Sequence, residues 1–164
     1  MKAQEMAAVA MRLAQIDKMS EDSGIIFDNG KDIKRVLAGI DMTSAELMIA
    51  KQLGFDAVAQ HHPGGIENPD VPELMARDHM KKLMECGVPV NEAQKLAYGR
   101  KTKSHQARHT RNLNTLASVA KLLDINMMAF HTPADMLVER FVQKRMDELS
   151  ASNPMCTVQE ILDN

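Results

Sequence analysis

Two histidines stand side by side at the end of a short apolar run in "DAVAQHHPGG", and Pro63, Gly64 and Gly65 follow them at once. A second apolar run, "INMMAF", delivers His131 and, four residues on, Asp135; a third, "RVLAGI", stops at Asp41. Imidazole and carboxylate together suit zinc, manganese, iron or nickel, and two ions can share such a cluster. Each residue also has a plainer explanation. Adjacent histidines occur by chance, Asp41 can simply end a strand, and His131 can be a buried histidine bonded to the backbone. Asp135 closes a Thr-Pro-Ala-Asp capping box, where a carboxylate favours the positive end of the helix dipole. Position weighs against these explanations, because every one of the candidates comes after a predicted strand.

The elements that would position them can be read from the chain. "KRVLAGID", residues 34–41, is short, apolar and partly β-branched, so it reads as a strand. Thr43 N-caps the next helix with Glu46 at the capping-box position, and Gly54 ends it. "FDAVAQ" is the second strand, which makes residues 34–62 a strand–helix–strand unit of right-handed crossover length. "INMMAF" is the third, followed by a helix over "TPADMLVERFVQKRMDELS" with Thr132 as N-cap and Pro133 at its first position. Upstream, Met6, Val9, Ala10, Leu13 and Ile16 stripe a helix over residues 3–19, and "SEDSGIIFDNGKD" is a loop holding a short strand at 25–27. Asp70, Pro72, Glu73 and Gly87 punctuate a helix in "NPDVPELMARDHMKKLMECG". "VPV" reads as a short strand, residues 91–123 as two helices parted near 110–114, and residues 157–162 as a last helical turn after the linker-like "ASNPMC".

This alternation predicts an α/β fold, a mainly parallel sheet flanked by helices and built from strand–helix–strand units. Residues 1–164 read as a single α/β metal-binding domain. Ligands gather at the carboxyl ends of strands in open parallel sheets, so Asp41, His61, His62 and the "HTPAD" segment fall on one edge. Neighbouring strand residues point to opposite faces. His61 and His62 can therefore share a site only where the chain leaves the pleat, and Pro63-Gly64-Gly65 supplies that departure.

Composition narrows the function classes. With 164 residues, 45% apolar and 26% charged, the chain can bury a sizeable core. Its aromatics are few (Phe27, Phe55, Tyr98, Phe130 and Phe141), so the 14 methionines are expected to fill much of the interior. A net charge of −2 argues against a generic nucleic-acid coat and against charge-driven membrane adhesion. No apolar stretch has the length of a membrane span. Cys86 and Cys156 form no CxxC pair, which suits a reducing compartment, and the cytoplasm is the expected location.

Between Ala93 and Leu123 the chain carries seven basic residues and no acidic one. Arg100, Lys103, Arg108 and Arg111 are the candidate anion-binding residues of this strip. His105 and His109 share a helix face at i, i+4, as a metal-binding pair or, in the favoured reading, as surface histidines of a solvated basic helix. Only Tyr98 is interleaved, so no base-stacking platform is indicated, and a small anionic ligand is preferred to a nucleic acid.

The stretch "DIKRVLAGIDMTSAELMIAKQLGFDAVAQHHPGG", followed much later by "MMAFHTPADM", resembles the Ngg-interacting-factor-three-like family, often described as type 2 GTP cyclohydrolase I-like proteins. The HHP and HTxxD pair carries the resemblance, over about residues 24–65 and 120–136. It implies an α/β fold assembled into homohexameric rings around a dinuclear metal site. His61, His62 and Asp135 match the family's metal ligands, and His131 matches the histidine of HTxxD near the metals. The family completes its site with a His-x-x-x-Glu pair nearer the C-terminus, and this sequence has no histidine after His131. That departure is expected either of the N-terminal portion of a longer protein or of a branch with a reduced site.

Two functional classes result. As a metal-dependent hydrolase, the protein would act on a phosphate- or nucleotide-like small molecule through one or two zinc, manganese, iron or nickel ions held by His61, His62 and Asp135. His131 would orient a ligand or shuttle a proton, and Asp41 is a candidate general base. The alternative is a metal-binding or oligomeric interaction module without turnover.

Overall fold

Three apolar runs, each too short for a helix and rich in small or β-branched residues, form the centre of the molecule. The computed structural model describes residues 1–66, 71–109 and 112–163. Four strands, β1 (Ser23–Phe27), β2 (Val36–Gly39), β3 (Ala57–Gln60) and β4 (Asn126–Phe130), form one sheet in the order β1-β4-β3-β2. β2 pairs with β3 and β3 with β4 in parallel, while β1 joins β4 antiparallel at the edge. Seven helices among the described residues surround it: α1 (Ala3–Ala14), α2 (Ser44–Gln52), α3 (Val71–Glu85), α4 (Val90–His109), α5 (Thr115–Leu123), α6 (His131–Ser152) and α7 (Val158–Leu162). The expected α/β fold with a mainly parallel sheet is the observed one.

Alternation along the strands divides the core between the two faces of the sheet. Val58 and Met127 pack with Met42, Leu47, Ala50, Ala120 and Ile125, under α2 and α5. Their neighbours Ala57 and Met128 pack on the other face with Ala3 and Ile33, beneath α1. Among the described residues only three methionines, Met42, Met127 and Met128, are in the buried core, whereas Met48, Met75, Met84, Met146 and Met155 are exposed. The methionine-filled interior is thus corrected: alanines at 3, 14, 50, 57, 97, 120 and 129 let the layers approach closely instead.

Local chemistry sets the ends of the elements. The Thr43 hydroxyl accepts from the Ala45 N–H at 3.2 Å while the Glu46 carboxylate accepts from the Thr43 N–H at 2.7 Å. That reciprocal pair opens α2, and Gly54 closes it at φ +75°, a conformation that costs a side-chain-bearing residue energy. Asp56 accepts from the N–H groups of Lys34 (2.9 Å) and Arg35 (2.8 Å), joining the starts of β2 and β3. The buried Asn126 side chain accepts from the Asn29 N–H and donates to the Asp56 carbonyl, so the start of β4 is tied to the same corner.

Several boundaries differ from expectation. "VPV" is no strand: Val90 begins α4, and the Pro89 carbonyl accepts from the Ala93 N–H at 2.9 Å as a helix start requires. α1 ends at Ala14, where Gln15 takes the left-handed conformation, short of the predicted residue 19. The expected N-cap Asp70 lies outside the described residues. α6 begins directly at His131, so the Thr132–Asp135 capping box does not form. Thr132 instead donates its hydroxyl to Asp22, and Asp135 turns towards histidines. α3 and α4 pack on each other as a helical hairpin. Among the described residues, no helix is long and apolar enough to cross a membrane.

Candidate metal centre

Parallel pairing of β2, β3 and β4 puts their carboxyl ends on one edge, and the candidate residues arrive there together. Asp41 follows β2, His61 and His62 follow β3, and His131 follows β4. β1 runs the other way, with Ser23 opposite Phe130, so its amino end lies at the same edge and brings Asp22 with it.

Both histidines of the pair lie just past the pleat. The His61 N–H donates to the Gly39 carbonyl and the His62 N–H to the Ile40 carbonyl, each at 3.0 Å. The turn beyond them is stitched by the Gly64 N–H to the His62 carbonyl at 2.8 Å and by the Gln60 side-chain amide to the Gly64 carbonyl. Gly65 completes it at φ +88°.

The His61 and His131 rings stack with centroids 4.7 Å apart, and the His61 and His62 rings are 4.9 Å apart. One ring nitrogen from each of His61, His62 and His131 lies within 4.8 Å of the other two. Donors around a tetrahedral zinc with Zn–N of about 2.0–2.1 Å sit roughly 3.3 Å from one another, so side-chain rotation would close such a site. Asp135 adds a carboxylate, with Oδ1 3.5 Å from His61 Nε2 and Oδ2 3.6 Å from His131 Nδ1. Its side chain is 56% exposed, which keeps this side of the cluster open to solution. In donor type and spacing the group fits a divalent transition metal.

Two further carboxylates stand behind the imidazoles. Asp41 Oδ1 is 2.8 Å from His62 Nδ1, and Asp22 Oδ2 is 2.8 Å from His131 Nδ1. With the proton on Nδ1, each ring donates to its carboxylate and keeps the Nε2 lone pair for an ion, the usual support of a ligating histidine. Asp22 is the more enclosed, at 17% exposure, and also accepts from the hydroxyls of Thr132 and Ser23. Burial raises its pKa, but the hydrogen bonds from Thr132, Ser23, Ser20 and His131 outweigh burial and hold the carboxyl below its ordinary range. The sequence reading missed Asp22. Its one signal is a carboxylate immediately before β1 in "SEDSG", which acquires meaning only once β1 is known to be antiparallel.

The basic strip does not form one surface. Arg108 lines a cleft of about 420 Å³ together with Asp41, His62 and the Pro63–Gly65 turn. Arg100 lines a separate groove between α3 and α4, with His79, Leu83 and Leu96. Lys103 is exposed on α4 and lines neither, and Arg111 lies outside the described residues. His105 is on α4, whereas the side chain of His109 lies outside the described residues, so their pairing has no structural counterpart here.

No family model and no curated protein matches the sequence. The structure is similar to the crystal structure of a NIF3 superfamily protein from Sphaerobacter thermophilus, with a TM-score of 0.87 and 32% sequence identity. That likeness covers 99% of this chain and 60% of the other, so the chain spans less than two thirds of its relative's length.

Proposed function

The chain belongs to the NIF3 superfamily, and from that premise we propose that it is a metal-dependent hydrolase of a phosphate- or nucleotide-like small molecule, taking one or two divalent ions at the sheet edge. The observation that carries the reading is the convergence of His61, His62 and His131, three ring nitrogens within 4.8 Å, backed by Asp22 and Asp41 and joined by Asp135. His61, His62, His131 and Asp135 are the residues that hold the metal. This gives His131 a ligand's place, with its tautomer set by Asp22, beyond the orienting or proton-shuttling role its sequence context suggests.

A divalent zinc, manganese, iron or nickel ion there supplies Lewis acidity, polarising a phosphoryl or carbonyl oxygen and making water a better nucleophile near neutral pH. Asp41 has one oxygen on His62 and lines the cleft, so it is the candidate general base. In the hydrolytic step the water oxygen bonds to the phosphorus or carbon under attack and a water proton passes to Asp41. The leaving group departs with the electron pair of the broken bond and takes a proton from solvent. Self-association, a hexameric ring by resemblance, belongs to the same proposal.

Elemental mass spectrometry on untagged protein tests the reading, beside a His61→Ala/His62→Ala variant and a panel of phosphomonoesters and nucleotides. One or two equivalents of metal lost in the variant, with metal-dependent turnover, supports it. Wild-type protein that takes up none of zinc, manganese, iron and nickel overturns it. Metal without turnover overturns the hydrolase and leaves the binding module.

A further inference from the structure

Of the three candidate anion-binding residues that the structure describes, Arg100, Lys103 and Arg108, only Arg108 lines the cleft beside the histidines, and that separation says more than the charge of the strip. We propose that Arg108, with Asn112 beside it, is the specificity-determining group of the site: it binds a phosphate group of the molecule whose reacting bond lies at His61, His62 and His131. The inference rests on the metal-centre reading and adds the element that selects the ligand, the far end of the α3–α4 hairpin.

Two chemically distinct sets of residues line the cleft. One is Asp41 and His62, engaged with each other at 2.8 Å. The other is Arg108 near the end of α4 with Asn112 and Leu116 around the start of α5. Among the described residues lining the cleft, Arg108 is the one with a permanent positive charge, while the single carboxylate, Asp41, is bonded to His62. A ligand drawn to Arg108 therefore presents its anionic end there and its remaining atoms towards the histidines. At about 420 Å³ the cleft is within the range that encloses a small organic molecule, which a bare inorganic ion would underfill.

The guanidinium favours phosphate in this setting. Its planar fork gives paired, charge-assisted hydrogen bonds to two oxygens of a tetrahedral anion, and the Asn112 amide can donate to a third. The Pro63-Gly64-Gly65 turn also lines the cleft, and its glycines let the chain come close to α5. A Cβ on Gly64 would lie 3.1 Å from Leu116 Cδ1, so the turn and α5 already meet at the closest distance they tolerate. Arg100 provides an internal control, since it shares the helix and the charge but faces the other groove.

The test is an NMR titration of ¹⁵N-labelled protein with inorganic phosphate and with 5′-AMP at fixed ionic strength, in metal-free and zinc-loaded samples. Wild type, Arg108→Gln, Arg108→Lys and Arg100→Gln are compared, and metal content is measured separately in each. The expected result is saturable shifts of the Asn112 amide and the Gly64–Gly65 turn in metal-free wild type. Affinity falls at least tenfold in Arg108→Gln, is partly retained in Arg108→Lys and is unchanged in Arg100→Gln, with metal content equal throughout. Equal affinity in wild type and Arg108→Gln overturns the proposal, as does an equal loss in Arg100→Gln or no shift at all in the metal-free protein. Failure of the metal centre reads out separately, as absence of zinc uptake whatever phosphate does.

Discussion

Replacing Asp22 tests whether the enclosed carboxylate positions His131 for a metal. In the wild type Asp22 accepts from His131 Nδ1 at 2.8 Å, from the Thr132 hydroxyl at 2.8–2.9 Å and from the Ser23 hydroxyl at 2.9 Å. In Asp22→Asn one oxygen remains to accept from His131, and the hydroxyls can rotate to accept from the new amide. The loss is chiefly one of charge assistance, the difference between a hydrogen bond to an ion and a neutral one, about 1–1.5 kcal/mol. That converts to roughly a tenfold weaker metal affinity. Asp22→Ala removes the acceptor altogether, frees the ring to rotate and strands a histidine N–H and two hydroxyls, so the loss approaches about 100-fold, the upper end for the partner of a ligating histidine. Zinc competition against a chromophoric chelator at pH 7 gives both affinities, and thermal unfolding of the metal-free proteins shows whether the fold survives. If both variants bind zinc as wild type does while His131→Ala does not, Asp22 has no positioning role. A loss in Asp22→Asn as large as in Asp22→Ala would equally refute the reasoning from charge assistance.

Two other outcomes bear on the scaffold. The N–H groups of Arg35 and Lys34 hold the Asp56 carboxyl below its ordinary range. A depressed folded-state pKa contributes stability above the unfolded value of 3.8 that is lost as pH falls through the folded pKa. Asp56→Asn should accordingly lower the melting temperature at pH 7, with the gap to wild type closing below about pH 4; a constant gap down to pH 2 would contradict the assignment. Gly65→Ala places a side chain at φ +88° with its Cβ 3.3 Å from Ile26 Cγ2, so it should cost about 1–2 kcal/mol. Its melting temperature is expected to fall by roughly 2–8 °C, and an unchanged value would show that the turn relaxes freely.

Why the sequence revealed one part of the site and concealed another depends on the kinds of contact involved. β2, β3 and β4 are short apolar runs, the last two mostly buried, whose ends are marked by the next stretch of chain: a capping box at Thr43, a Pro-Gly-Gly turn, and a helix that starts without a loop. Parallel pairing then carries Asp41, His61, His62 and His131 to one edge as a consequence of topology, so their meeting was legible. Asp22 was not, because its place depends on β1 pairing backwards against β4, a contact between residues 23 and 130 with no local signature. The same long-range contact undid the capping box at Thr132: its hydroxyl donates to the enclosed Asp22 carboxylate, a charged acceptor, and α6 starts two residues earlier. Composition misled in the basic strip for a related reason. Charges one and two helical turns apart along α4 share a stretch of sequence, yet Arg100 and Arg108 face different cavities because the hairpin turns one end of α4 to the HHPGG turn. Local propensity therefore predicts which residues reach the edge directly after a strand, while partners that approach from an antiparallel neighbour or from the tip of a hairpin must be found in three dimensions. Asp22 and Arg108 are of that second kind: one bonds to His131 and the other shares a cleft with His62, both histidines that the sequence alone singles out.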